Sequence, residues 1–427
     1  MPARRLIGAL TFCVAVLASS AAYADHDGSS LKGLSSLLPN LFGKDGILLA
    51  PPQVGFSHQP HFTVESQEQL NVLNDSLRSQ LSLIPLPSPA SGFTFRFDPT
   101  LGAFTRATDS FGPIYSQRAD TTGKGKLTFG FSYSRFTFDE LDGKSLDGGD
   151  LQVTFTHEPT GSQLTPPQPP FFFEADTITA QISAKIVSNV FVFSATYGLL
   201  DNLDLSIAVP LIFTSIDLKG VATINRTGTQ AVNPNIHRFD NGTDTLTVRA
   251  SDESFGIGDI VLRAKWNFLK AAPILLAAGL DLRLPSGSVD DLRGVGTVVV
   301  SPAFIFSTQS FAGFSPHVNV GVHISADTSK VENEFFYNVG VDWAPYKALT
   351  VNFDILGRYI INNGRLEAGQ LPGGTKIAGS NLVDAALGFK LNVWKNVLGV
   401  LNVLMPLNSN VGLRDHITPL FGVEVSF

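Results

Sequence analysis

Residues 256–268 read Gly256-Ile-Gly-Asp-Ile-Val-Leu-Arg-Ala-Lys-Trp-Asn-Phe268. Ile260, Leu262, Ala264, Trp266 and Phe268 share one parity; Asp259, Arg263, Lys265 and Asn267 share the other. Side chains of a β-strand alternate between its two faces, so this stretch predicts a strand with one apolar and one charged face. The pattern recurs downstream. In 272–284, Ile274, Leu276, Ala278, Leu280 and Leu282 oppose Asp281 and Arg283. In 334–344, Phe335, Tyr337, Val339, Val341 and Trp343 oppose Asn338 and Asp342. In 380–393, Val383, Ala385, Leu387, Phe389 and Leu391 oppose Asp384, Lys390 and Asn392. A soluble sandwich also alternates, but turns its apolar face inward. A transmembrane barrel turns that face to lipid and keeps the charges in its lumen.

Bulk properties favour the membrane. Mean hydropathy is +0.16 and only 16% of residues are charged, yet beyond the N-terminus no segment approaches the ~18 uninterrupted apolar residues of a spanning helix. A barrel reconciles the two, because it spreads its apolar residues over alternate positions. The first 24 residues read as a cleaved signal peptide: Arg4 and Arg5, the short apolar run Leu6 to Leu17, then Ala22-Tyr23-Ala24 before Asp25. Its removal takes the single cysteine, Cys13, and two positive charges, moving the formal charge from −7 to −9. No disulfide or thiol chemistry is expected of the mature chain. An acidic chain of this kind offers no footprint for nucleic acid.

Alternation places strands at 126–138, 176–197, 203–220, 256–269, 272–284, 297–309, 313–325, 334–344, 348–361, 380–393, 396–407 and 416–427. Twelve is an even number, as a bacterial barrel with both ends in the periplasm requires; fourteen strands remain an alternative. Tight turns fall at Gly198–Asn202, Lys270–Ala272, Phe311–Gly313, Pro345–Lys347 and Lys395–Asn396, on the expected periplasmic side. Longer connections at 139–175, 221–255, 285–296, 362–379 and 408–415 fall on the other, joined there by the shorter 326–333. Leu151–Thr156 reads as a strand inside the first outer loop. Apolar residues in 176–197 change parity between Ile182 and Phe191, which suggests a bulge near Asn189. Pro210 lies within a strand and can donate no ladder bond, so a local irregularity is expected there. The chain ends Phe421-Gly-Val-Glu-Val-Ser-Phe427, a terminal aromatic pattern of the type read by the barrel assembly machinery.

Residues 25–125 have another texture. Leu70, Leu73, Leu77, Leu81 and Ile84 recur at helical spacing before a proline-rich stretch. Residues 93–97 and 102–106 form a short hairpin across Asp98-Pro99. The whole region is expected to be a periplasmic extension or a plug, preceding the barrel at 126–427.

Three stretches resemble a bacterial outer-membrane β-barrel family labelled transporter, or meta-pathway phenol degradation. They are Tyr197-Gly-Leu-Leu-Asp-Asn-Leu-Asp-Leu-Ser-Ile-Ala-Val-Pro210, Gly256-Ile-Gly-Asp-Ile-Val-Leu-Arg-Ala-Lys-Trp266, and Arg283-Leu-Pro-Ser-Gly287 followed by Leu292-Arg-Gly-Val-Gly296. Leu200 stands where the family commonly has Thr. These motifs are strand and turn features, with Gly198 expected to relieve strain at its hairpin. The resemblance implies a porin-like outer-membrane channel or transporter of a Gram-negative cell, for small solutes, hydrophobic or aromatic ones included.

Charges on the inward parity are the candidate site. Asp259, Arg263, Lys265, Asp281, Arg283, Asp342, Asp354, Arg358, Asp384 and Lys390, with His317 and His323, are expected to line the lumen. Lys185, Asp204 and Glu424 share that parity. Arg263 and Lys265 lie on the strand hairpinned to that of Asp281 and Arg283, so cross-strand pairing follows. Nearly balanced signs argue against strong ion selectivity. The same balance suits a non-transporting barrel, structural or surface-interacting, whose lumen is closed by ion pairs. A lipid-modifying outer-membrane enzyme is a third reading, but the two histidines fall on the lumen face and no nucleophile elbow occurs. The acidic run Asp139-Glu140-Leu-Asp142 to Asp147-Gly-Gly-Asp150 lacks Ca²⁺-loop spacing and reads as a solvated outer loop. No cofactor and no metal ligand set is expected. The partners expected are the lipid bilayer, lipopolysaccharide, the assembly machinery at Phe427 and a small solute.

Overall fold

The alternating segments form strands that pair, each with its sequence neighbours, into a closed antiparallel ring of twelve. A computed structural model describes residues 33–51, 58–82, 84–88, 94–98, 103–106, 108, 110–158, 172–228, 236–271, 273–308, 311–361, 381–409 and 411–427. The signal-peptide reading lies outside these residues. The barrel strands are β1 (Leu127–Phe138), β2 (Thr177–Leu200), β3 (Leu203–Asn225), β4 (Ile260–Ala271), β5 (Ile274–Leu284) and β6 (Val299–Thr308). They continue as β7 (Phe314–Ser325), β8 (Glu334–Tyr346), β9 (Leu349–Ile360), β10 (Asn381–Trp394), β11 (Val397–Pro406) and β12 (Thr418–Ser426). The ring closes where β12 meets β1, from Leu420 opposite Ser134 to Ser426 opposite Thr128.

Two further strands explain why the count could be read as fourteen. Leu151–Thr156 pairs only with residues 177–182 of β2, and Thr245–Ile257 only with residues 211–223 of β3. Both flank the β2–β3 hairpin at the long-loop end, outside the ring. Pro210 sits at the interruption between Thr245–Ile257 and β4: β4 pairs with β3 as far as Ala208, and the Pro210 carbonyl accepts from Gly258 N–H. The missing proline donor therefore breaks no ladder.

The expected bulge at Asn189 does not exist. β2 pairs with β3 in continuous register from Thr177 to Gly198. Even positions stay buried along its length, from Ile178 through Ile186 to Val190 and Val192. What changes is the surroundings of the outer face. Gln181 and Lys185 are exposed near the long-loop end, whereas Phe193 and Tyr197 are exposed lower down. A 24-residue strand outgrows the apolar belt, so its outward face turns from polar to aromatic without a change of pleat. Lys185 accordingly points outward, not into the lumen.

The outer face is the apolar parity of the sequence. Leu262, Trp266, Phe268, Leu280, Val339, Phe353, Leu387, Phe389 and Leu401 are exposed around the ring. Aromatic rings gather toward the short-turn end, with Phe314 stacked on Trp343 at 5.8 Å and Phe129 edge-on to Phe427 at 6.3 Å. An apolar belt edged by aromatics is the lipid-facing surface of a transmembrane barrel. Val339→Arg, in the middle of β8, should cost about 2–4 kcal/mol of unfolding free energy in phospholipid vesicles. A chemical denaturation midpoint unchanged by that substitution would contradict a lipid-facing β8.

The N-terminal chain packs onto and into this ring. A short 3₁₀ turn (Leu34–Ser36) and the helix α1 (Thr63–Ser82) lie at the long-loop end. Leu70, Leu73, Leu77 and Leu81 of α1 are buried, which is the stripe its spacing predicts. They join a core with Leu151, Val153 and Phe155 and with the extended part of β2. Gln80 Oε1 accepts from Leu413 N–H, tying α1 to the last long loop. The short hairpin forms as Phe95–Asp98 and Ala103–Arg106, and Ser88 N–H reaches the Ile114 carbonyl across it.

Candidate functional site

Residues 110–122 run across the lumen near the short-turn end without regular structure, and the barrel wall satisfies their backbone. Phe111 N–H donates to Thr350 Oγ1 at 2.9 Å, and Asn352 Nδ2 to the Gly112 carbonyl at 2.8 Å. Asn319 brackets Gln117, accepting its N–H at 2.7 Å and donating to its carbonyl at 2.8 Å. Ser307 accepts from Ala119 N–H, and Asn267 donates to the Ala119 carbonyl at 2.7 Å. Both oxygens of Asp204 accept from Thr122 N–H, at 3.1 and 2.9 Å. Five wall strands thus supply hydrogen bonds that an irregular buried segment cannot make for itself. The next residues hug the wall: a Cβ on Gly198 would lie 1.9 Å from the Gly123 carbonyl oxygen. Gly198 is there for this close approach, not to relieve strain at the hairpin.

Against this segment the expected lumen residues fall into two layers. In the lower layer, Lys265 donates to the carbonyls of Arg118 (3.3 Å) and Asp120 (2.5 Å) and lies 3.7 Å from Asp204 Oδ2. His317 Nε2 bonds Asp354 Oδ1 at 2.7 Å, with Asp342 Oδ2 3.9 Å from its other nitrogen; all three side chains are buried. Asn352 bridges from Asp342 to the crossing segment. Gly340 makes room for this group, since a Cβ there would lie 2.1 Å from Asp354 Oδ1 and 2.5 Å from His317 Nε2. Lys390 pairs with Glu424 at 2.8 Å.

In the upper layer the side chains surround a cavity of about 180 Å³. Arg263 and Asp281 are direct cross-strand partners and form a two-pronged pair, while Arg263 also reaches Ser88 Oγ at 3.1 Å. Arg283 lines the same space. His323 bonds Ser301 Oγ at 2.7 Å and stacks on Phe336 at 4.6 Å. Arg358 lies 3.6 Å from Glu334, and Asp384 accepts from Arg414 at 2.9 Å. The opposite wall is the chain's own Ile84, Pro85, Leu86, Pro87 and Tyr115. Asp259 stands apart: its two oxygens accept from Gly287 N–H and Val295 N–H, so it folds the 285–296 connection back over β4 rather than lining the cavity.

What the sequence did not expose is the partner set. Arg118, Tyr115 and Leu86 belong to segments with no periodicity, and Ser307, Asn319 and Thr350 are ordinary polar strand residues until their partners are seen. Nor does the spacing of His58, His61, His157 and His237 signal a cluster. Yet one ring nitrogen of each lies within 4.8 Å of the others, at the long-loop end. Among the described residues this is the group able to hold a metal ion.

Similarity to solved structures is remote. The COG4313 outer membrane channel from Pseudomonas putida F1 is 12% identical, with a TM-score of 0.45, over 74% of this chain and 100% of that one. The Ralstonia pickettii toluene transporter TbuX is 10% identical, with a TM-score of 0.36, over 71% of this chain and 90% of that one. No curated protein matches the sequence. The family described as "Putative MetA-pathway of phenol degradation" matches residues 160–391, which run from the first long loop into β10 and take in most of the cavity wall, and the chain belongs to that family.

Proposed function

We propose that this chain is an outer-membrane channel for small solutes, hydrophobic and aromatic ones included, and not an enzyme. The observation that carries the reading is the cavity between the upper charged layer and the inserted N-terminal chain, inside a closed lipid-facing barrel. At about 180 Å³ it exceeds the roughly 150 Å³ that accommodates benzene in an engineered protein cavity. Its wall is mixed, with Leu86, Tyr115, Val261 and Phe336 beside the ion pairs. Apolar lining with a few placed polar groups suits an uncharged ring bearing one polar substituent. Paired charges of both signs leave no net field to draw in an ion. The family's description, which refers to phenol degradation, is consistent with such a solute. The short-turn end is then periplasmic and the long-loop end external, against lipopolysaccharide. The exposed ring of Phe427 closes β12 where the assembly machinery would read it.

Ser301→Phe, on β6, fills the cavity from its wall. Cells lacking their own aromatic channels should take up a labelled monoaromatic faster when they make this protein, and the substitution should abolish the gain at equal surface expression. Uptake that is the same with the protein, without it and with the filled cavity would sink the channel reading. A second reading has one specific observation behind it, the segment 110–122 crossing the lumen: a permanently sealed structural barrel. It requires that no uptake be seen with either form.

A further inference from the structure

The four histidines at the long-loop end come from three separate places in the chain. His58 and His61 precede α1, His157 follows the strand Leu151–Thr156, and His237 lies in the connection between β3 and Thr245–Ile257. Ring centroids are 4.4 Å apart for His61 and His157, 5.0 Å for His157 and His237, and 5.2 Å for His58 and His237. His61 Nδ1 and His157 Nε2 meet at 2.7 Å. Phe62, fully buried, stands edge-on to His157 and His237 and closes the apolar side.

The surroundings orient the rings. Asp176 Oδ2 accepts from His237 Nδ1 at 2.9 Å, both side chains fully buried, and Asp176 Oδ1 is itself held by Gly228 N–H at 2.8 Å. The Glu158 carbonyl takes His157 Nδ1 at 2.7 Å. In both rings the second nitrogen, Nε2, is thereby the one left to face the cluster. A carboxylate or carbonyl behind one ring nitrogen, fixing the tautomer of the other, is the outer-shell arrangement of metal-binding histidines.

We propose that His58, His61, His157 and His237 form a four-nitrogen site for a divalent transition metal, Zn²⁺ in particular, which clamps the N-terminal chain onto the outer extension of the barrel. Four imidazoles suit a tetrahedral Zn²⁺ at about 2.0–2.1 Å, which puts neighbouring nitrogens about 3.3 Å apart. The longest separation in the cluster is under 4.8 Å, so contraction by about 1.5 Å, within reach of side-chain rotation, completes the shell. His61 and His157 move apart slightly, exchanging their mutual hydrogen bond for the metal. Glu174, close enough to favour positive charge on both His61 and His157, offsets part of the +2 charge. Closure by four protein ligands makes the site structural, with no open position for a substrate.

The test uses the full mature chain without a histidine tag, stripped with chelator and titrated with Zn²⁺, and with Co²⁺ for its visible spectrum. One metal per chain is expected, with the intense absorption of four-coordinate Co²⁺ bleached by Zn²⁺. The double substitution His157→Ala/His237→Ala should remove the site, with barrel folding verified by heat-modifiable gel mobility. Asp176→Asn retains all four ligands and should weaken Zn²⁺ about 10–100-fold. With Zn²⁺ at 100 times its dissociation constant, local opening becomes about 100-fold rarer, so proteolysis between residues 33 and 62 should slow accordingly. Absence of a one-to-one site, equal binding by the double variant, or proteolysis indifferent to Zn²⁺ would each overturn the proposal.

Discussion

Removing residues 33–122 is expected to turn a barrel that conducts little into one with stable conductance steps several times larger in planar bilayers. Twelve strands about 4.8 Å apart and tilted by roughly 40° give a circumference of roughly 75 Å and a backbone diameter of roughly 24 Å. Side chains take about 5 Å from each wall, half the usual spacing between packed sheets, which leaves roughly 14 Å. One extended chain with its side chains occupies most of that width. In this protein residues 110–122 lie across it, fastened to Thr350, Asn319, Ser307, Asn267 and Asp204. Their loss frees those groups to bind water instead, a change that costs the wall little. Equal conductance of the full and shortened chains, with folding established for both, would show that the segment is not what obstructs the lumen.

The second large effect is expected from Lys265→Met. The ammonium of Lys265 holds the carbonyls of Arg118 and Asp120 and is the cation beside Asp204, which is 2% exposed. Taking it away leaves a buried carboxylate bonded to Thr122 with only the weaker pull of Lys270 to offset its charge, a situation that costs about 3–5 kcal/mol. Undocking of residues 110–122 relieves that cost by letting water reach Asp204. The equilibrium between docked and undocked segment should therefore move by about 100-fold or more toward release, at 1.4 kcal/mol per tenfold. A cysteine at the buried position 116 reports it: in a Cys13→Ser/Ser116→Cys chain, the thiol labelling rate should rise by that factor once Lys265→Met is added. Adding Asp204→Asn should bring labelling most of the way back, because no buried charge then remains unpaired. Labelling unaffected by Lys265→Met would mean that this triad does not hold the segment in place.

The barrel was legible because the pleat writes itself into the sequence wherever one face meets lipid and the other does not. Ile260, Leu262, Ala264, Trp266 and Phe268 against Arg263, Lys265 and Asn267 carry strand, face and direction together. Hairpin neighbours then made the Arg263–Asp281 pair foreseeable, and it forms. The argument failed where the surroundings changed along one element. β2 leaves the belt, so its outer face shifts from Phe193 to Lys185 with the pleat intact, and parity alone reads that as a bulge. Asp259 shares the charged parity but lies beyond the end of β4, where backbone N–H groups of a returning loop claim it. The lumen partners were least legible. Residues 110–122 make side-chain-to-backbone bonds that impose no period, and the four histidines meet through loops far apart in the chain.

The seam between β12 and β1 also dictates an order of assembly. Thr128 and Ser426, which share a hydrogen bond there, are 298 residues apart in the chain. Bringing such distant ends together costs roughly 5 kcal/mol of chain entropy before the constant term. Every other wall contact is between neighbours in the chain, so sealing the cylinder is the slow and final event. Yet the segment leading into β1 already threads the interior, and α1 lies at the far mouth. A 20-residue helix is about 30 Å long and 10–12 Å wide, so it could follow through a passage of roughly 14 Å only end-on, with about 1–2 Å to spare on each side. Laying residues 110–122 in the open sheet before the seam forms avoids that passage, and the sheet then wraps around them.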